Sequence, residues 1–176
     1  RVVLHASFGR LESQLSRRTP AVPRPFSIPV RRPKPVHTET ASHKPDGLQF
    51  FNGFGGFDAA GREYLILHRP DRALPAPWIN VIANPVFGTH CSAEGGGYTW
   101  FRNSRERQLT AWSNDVVADQ PSEAFYVHDL DNDVVVSPTV LPLGRRPGQF
   151  RSRHGFGYTV HEGEESGLAM ELVQTI

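Results

Sequence analysis

The residues of this chain best suited to chemistry lie between Tyr98 and Asp115. Tyr98, Trp100 and Trp112 are interleaved with Arg105, Glu106, Asn114 and Asp115, in a span that opens apolar and glycine-rich and closes polar. An aromatic face can stack on the apolar face of a sugar ring, and planar guanidinium, amide and carboxylate groups can bind its hydroxyls, so the pattern points to carbohydrate. Arg153 and His154, with Tyr158 close behind, offer a second set of the same types. The opposing reading has weight for each residue. Most aromatics of a small β domain are core, and Arg105 beside Glu106 suits a solvated, ion-paired face. Trp78, inside an apolar run, is expected in the core.

Other motifs fail on their own chemistry. Gly53-Phe54-Gly55-Gly56-Phe57-Asp58 begins like a dinucleotide fingerprint, but Asp58 replaces the third glycine and no helical pattern follows; a glycine bend passing close to packed aromatics is the better account. Asp129, Asp131 and Asp133 alternate as in a calcium loop, yet Val134 and Val140 stand where glycine and glutamate are needed, so these aspartates are expected to shape a turn. The eight histidines lack metal-ligand spacing, and Cys91 beside His90 supplies too few ligands for zinc. No nucleophile elbow is present, and Cys91 reads as a buried, inert thiol. No metal, cofactor or catalytic residue is expected.

The elements that must position the aromatic cluster are short strands. With 176 residues the chain suits one domain with a real core, and a formal net charge of +1 demands neither nucleic acid nor a membrane surface. A lone cysteine and the lack of any long apolar run suit a reducing, cytoplasmic setting without direct membrane insertion. Leu4, Phe8, Leu11 and Leu15 share one helical face, and seven prolines follow between Pro20 and Pro45. Residues 1–47 are therefore a short helix and a proline-rich linker. From Leu48, apolar runs punctuated by glycine and proline predict strands at 48–51, 63–68, 78–83, 87–93 and 97–102. A hairpin over 124–138 turns at Asp131 and Asn132, and another over 150–175 turns through Gly163 to Ser166. About nine strands with such turns predict an all-β antiparallel sandwich over 48–176.

Three stretches together resemble a known module: FFNGFGGFDAAGREYLI, PAPWINVIANPVFGTHCSAEGGGYTWFRNSRERQLTAWSND, and RSRHGFGYT after a hairpin ending in SPT. The chain is similar to the N-terminal β-sandwich of the glycoside phosphorylases of glycoside hydrolase family 94, once called glycosyltransferase family 36, above all to the version in bacterial cyclic β-1,2-glucan synthases. The resemblance implies a super-sandwich, here cut short, preceding a catalytic helical barrel that carries the general acid, with inorganic phosphate as the parent enzyme's co-substrate and a parent that can be membrane-anchored. It implies a carbohydrate-binding or scaffolding role without catalysis by this chain, the partners being a β-glucan or gluco-oligosaccharide and the barrel. The alternative is a purely structural module that orients the barrel without touching sugar. The final stretch, Ser166 to Ile176, reads as a strand with no turn signal after it, which leads to the expectation of a homo-oligomer, a dimer or higher assembly in which sheet edges or uncovered sandwich faces meet.

Overall fold

The computed structural model describes residues 47–115, 117 and 119–176. The expected helix and nearly all of the proline-rich linker lie outside the described residues. Within them the chain forms ten strands: β1 (Gly55–Phe57), β2 (Tyr64–His68), β3 (Ile79–Ala83), β4 (Phe87–Ser92), β5 (Gly97–Phe101), β6 (Val127–Asp129), β7 (Val134–Val136), β8 (Gln149–Gly155), β9 (Tyr158–Glu165) and β10 (Leu168–Thr175). Every pairing is antiparallel, giving a five-stranded sheet in the order β1-β2-β8-β9-β10, a three-stranded sheet β3-β4-β5 and a ribbon β6-β7. Among the described residues no helix is long and apolar enough to cross a membrane.

Two expectations are corrected. No strand covers 48–51, because Phe50 adopts φ 53° just after the single bridge Gln49–Phe57 and ends the extension; the strand lies instead in the glycine run, as β1. The stretch 149–175 is a three-strand meander with turns at Phe156-Gly157 and Ser166-Gly167, and Gly163 sits inside β9. A side chain at Gly163 would approach the backbone of Pro138 to 3.0 Å, so this glycine serves packing rather than turning. The β6–β7 turn forms as expected, with the Asp129 carboxylate accepting from the amides of Asp131 and Asn132.

Alternation assigns the faces. On β10, Leu168, Met170 and Leu172 are half-buried while Ala169, Glu171 and Val173 are exposed. The same inward face carries Ile66, Phe150, Ser152, Thr159 and His161, all buried. The outward face holds an ion-pair ladder: Arg153 meets Glu63 at 3.0 Å, with Glu162 and Glu171 beyond, and Arg151 pairs with Glu162.

The inner faces meet through hydrogen bonds as much as through aliphatic packing. Asn80 on β3 reaches across to donate to the carbonyls of Gly155 (2.9 Å) and Tyr158 (2.8 Å). Ser152 on β8 donates its one hydroxyl proton to the Ala93 carbonyl at 2.6 Å, so its oxygen must accept from His68 Nε2 and His161 Nδ1, each 2.9 Å away. The proton is thereby placed on Nε2 of His68 and on Nδ1 of His161.

A second buried polar centre organises the segment after β7. All five N–H groups of Arg146 are used: Nε on Glu165 (2.7 Å), Nη1 on the carbonyls of Val140 and Gly144, Nη2 on those of Ser137 and Thr139. The guanidinium also lies 4.4 Å over the Phe150 ring. The irregular run 137–144 is thus wrapped around one cation, which satisfies carbonyls that no sheet partner takes.

Two outcomes follow from these centres. Arg146→Met should lower unfolding stability by about 3–5 kcal/mol in urea titrations, because Glu165 and four carbonyls lose their shared donor. Burial, reinforced by the neighbouring His154 and His68, pushes His161 down to about 3, and burial pushes His68 down to about 4. The unfolded imidazole titrates near pH 6.5, so the unfolded chain binds more protons below that value. Stability should be complete above about pH 6.5 and fall on acidification, by about 1.4 kcal/mol per pH unit from His161 alone. Urea midpoints between about pH 7.5 and 4.5 check this against His161→Gln, whose slope should be shallower.

Candidate functional site

The site is built on the outer face of the three-stranded sheet. In the β4–β5 register His90 lies opposite Tyr98 and Gly88 opposite Trp100. Thr89 and Cys91 alternate to the inner face with Asn80, so His90, Tyr98 and Trp100 share the outer one. Gly88 is required there, since a Cβ would stand 2.3 Å from the Trp100 indole.

After β5 the chain loops out and returns. Arg102 takes φ 60°, and the Asn103 side chain accepts from the amides of Arg105 and Glu106 at 2.9 and 2.8 Å, closing a tight polar loop. Leu109 then donates to the Thr99 carbonyl, 2.8 Å, and the chain recrosses the sheet. There Trp112 stacks on Tyr98, centroids 4.9 Å apart and planes at 3°, and meets the His90 ring at 5.4 Å edge-on. The loop is tied down by Glu123, which accepts from Thr99 and Thr110, and by Asp119, which accepts from Ser92.

The expected residues divide into three groups. Tyr98 and Trp100 are brought together but are 4% and 9% exposed, so they act as the base of the platform; Trp112, at 41%, is the accessible ring. Arg105 and Glu106 are exposed at the loop tip and pair with each other at 3.4 Å, while Asn114 and Asp115 follow Trp112 on the exposed return, Asn114 with φ 50° and Asp115 accepting from the Val117 amide. Arg153 and His154 do not join the cluster. Neighbours on one strand point to opposite faces, so Arg153 enters the outward ion-pair ladder and His154 bonds Thr159 and the Trp78 carbonyl between the sheets. Trp78 itself is half-buried, edge-on to Phe54 and Tyr64.

Sequence reasoning missed His90, Glu94, Asp119, Glu123 and Arg145. Burial lowers the His90 pKa while Asp119 and Glu123 oppose the shift, and burial raises those of Asp119 and Glu94. Beside Asp119 a cleft of about 170 Å³ opens, lined by Leu74, Pro77 and Leu141 together with Glu94, Asp119 and Arg145. Glu94 and Arg145 pair across it at 3.0 Å. Among the described residues no group of three or more His, Cys, Asp and Glu side chains is placed to hold a metal ion. Gly88→Ala should cost about 1–3 kcal/mol by forcing Trp100 off its seat, and should shift the near-ultraviolet dichroism of the aromatic stack.

Comparison with known proteins bears on this surface. The family description "Glycosyl hydrolase 94, supersandwich domain" matches residues 62–176. The cyclic beta-(1,2)-glucan synthase NdvB of Rhizobium meliloti (strain 1021) is 38% identical over the whole chain, which spans 6% of that protein. The N,N'-diacetylchitobiose phosphorylase of Vibrio proteolyticus is 30% identical over 65% of the chain and 14% of its own length. The 3-O-beta-D-glucopyranosyl-beta-D-glucuronide phosphorylase of Paenibacillus borealis is 27% identical over 71% of the chain, again 14% of its length. The chain thus corresponds to a small part of each relative. With its antiparallel sheets and a family match over most of its described residues, it belongs to the glycosyl hydrolase 94 supersandwich family.

Proposed function

We propose that this supersandwich is the carbohydrate-contacting part of a longer β-glucan-processing enzyme, a phosphorylase or a cyclic β-1,2-glucan synthase, and has no catalysis of its own. The observation that carries the reading is the Trp112 ring, held flat by Tyr98 on a sheet face and still accessible, with the exposed Asn114 and Asp115 following it in the chain. A ring locked before ligand arrives loses little entropy on binding, which is what a sugar platform requires. The relatives whose names specify β-linked glucan or glucoside support the substrate class. Glycosidic cleavage needs a general acid within hydrogen-bond reach of the bridging oxygen. The proposal places that acid, and the handling of inorganic phosphate, in a catalytic barrel outside this chain.

A second reading is favoured by the burial of Tyr98 and Trp100: the aromatics close a sheet face, and the module only orients the catalytic part. Titration with a β-1,2-linked gluco-oligosaccharide separates the two. The binding reading expects a tryptophan fluorescence change that disappears in Trp112→Ala, with amide shifts confined to residues 98–115. No fluorescence change and no shifts in that loop would leave the structural role.

A further inference from the structure

The cleft lined by Leu74, Pro77, Leu141, Glu94, Asp119 and Arg145 borders the Arg146 network, since Val140 and Gly144, whose carbonyls accept from Arg146, also line it. Its walls are well fixed. The Leu141 amide donates to the Glu94 carbonyl at 2.7 Å, and Thr139 packs so closely on Gly95 that a Cβ there would lie 2.5 Å away. Asp119 is held by Ser92, whose oxygen in turn accepts from the Gly96 amide at 2.7 Å. Both carboxylates are thus anchored on the β4–β5 turn, and Arg145 is held to Glu94.

The lining decides the ligand class. Aliphatic side chains, Leu74, Pro77, Val140 and Leu141, stand in the lining with two carboxylates and a guanidinium, and a pyranose likewise combines C–H surface with hydroxyls. An ionised carboxylate has about four lone-pair sites, of which one on Glu94 meets Arg145 and one on Asp119 meets Ser92, so acceptor capacity is left on both. Two carboxylates against one guanidinium leave the cleft net negative, which disfavours phosphate. A divalent cation would meet the Arg145 guanidinium that already pairs with Glu94, and among the described residues no group of three or more His, Cys, Asp and Glu side chains is placed to hold a metal ion. The volume, about 170 Å³, is below the roughly 300 Å³ at which ligand pockets for larger molecules begin.

We infer that this cleft is a binding site for a single neutral sugar ring, its hydroxyls donating to Glu94 and Asp119 and accepting from Arg145, with its C–H face on Leu74, Pro77 and Leu141. The inference rests on the reading of the domain as carbohydrate-contacting and adds a second point of contact to Trp112. The cleft lies on the same side of the sheet as the platform, because Ser92, which holds Asp119, and His90, which Trp112 touches, are alternate residues of β4.

Methyl β-glucoside, a β-1,2-linked gluco-oligosaccharide and inorganic phosphate, each titrated into the ¹⁵N-labelled chain, test it. The glucoside should shift the amides of Glu94, Asp119 and Arg145. Its affinity should fall about tenfold or more in Glu94→Gln, the scale of a hydrogen bond to a charged group. Ala76→Trp, which adds a bulky ring at an exposed lining position and keeps both carboxylates in the sequence, should abolish glucoside binding, so the test does not rest on the first variant alone. Trp112→Ala should weaken the oligosaccharide and leave the glucoside unchanged. Oligosaccharide binding that needs Trp112 but is indifferent to Glu94→Gln and Ala76→Trp would overturn the cleft and keep the platform. Phosphate binding at the same amides as tightly as the glucoside would also overturn it, and silence with every sugar would remove both readings.

Discussion

One side-chain amide sets the relation of the two sheets on which everything else depends. Asn80 Nδ2 sits within 3.1 Å of three acceptors on the β8–β9 hairpin: two backbone carbonyls, at 2.9 and 2.8 Å, and the Thr159 hydroxyl. Hydrogen bonds are directional where apolar contact is not, so such a bond fixes register as well as distance. With Asn80 inward, Ile79 and Val81 must face out, and by pairing so must His90, Tyr98 and Trp100. The position of the aromatic platform on the outside of the molecule is therefore a consequence of what is satisfied on the inside.

The interior this produces is polar for a sandwich. Ser92, Ser137, Ser152, Thr139, Thr159 and His161 are all buried beside Ile66, Val136 and Phe150. Such groups are costly when unpaired and specific when paired. Here His161 meets Ser152, Thr159 meets Asn80 and His154, Ser137 meets Thr139 and Ser92 meets Asp119, and the Ser152 and Arg146 networks end on backbone carbonyls of loops that carry no ladder partner. The wrapped segment 137–144 then packs against the β4–β5 turn, where Thr139 meets Gly95 and Leu141 bonds Glu94. One buried cation thus shapes a loop, and the loop shapes the wall of a surface cleft.

The surface follows a simple division of labour. Arg153, Glu63, Glu162 and Glu171 spend their charge on each other across the five-stranded sheet, where strand pairing brings opposite signs into reach. The outer face of the smaller sheet carries instead a packed stack, one accessible indole and two anchored carboxylates. The chain belongs to the supersandwich family and corresponds to a small part of each longer relative.

Much of the fold was legible in local patterns. Alternation marked β2 to β5 and β10, and Asp131-Asn132 marked the β6–β7 turn, because both signals act between residues a few positions apart. Alternation also misled where glycine was read only as a bend: β1 runs through Gly55-Gly56 because a bare backbone can lie against Leu65 and Ile66, which nothing local announces. Of the site, the sequence by itself determined that Tyr98 and Trp100 share a strand face and that polar groups follow them, since spacing of two and a polar loop are local facts. Only the tertiary structure decided that Trp112 folds back onto Tyr98, that Arg153 and His154 find their partners Glu63 and the Trp78 carbonyl away from that cluster, and that Glu94, Asp119 and Arg145 meet at one cleft. Those arrangements are set by chain crossings and by hydrogen-bond partners 27 to 90 residues apart, and at such separations composition and spacing carry no information about contact.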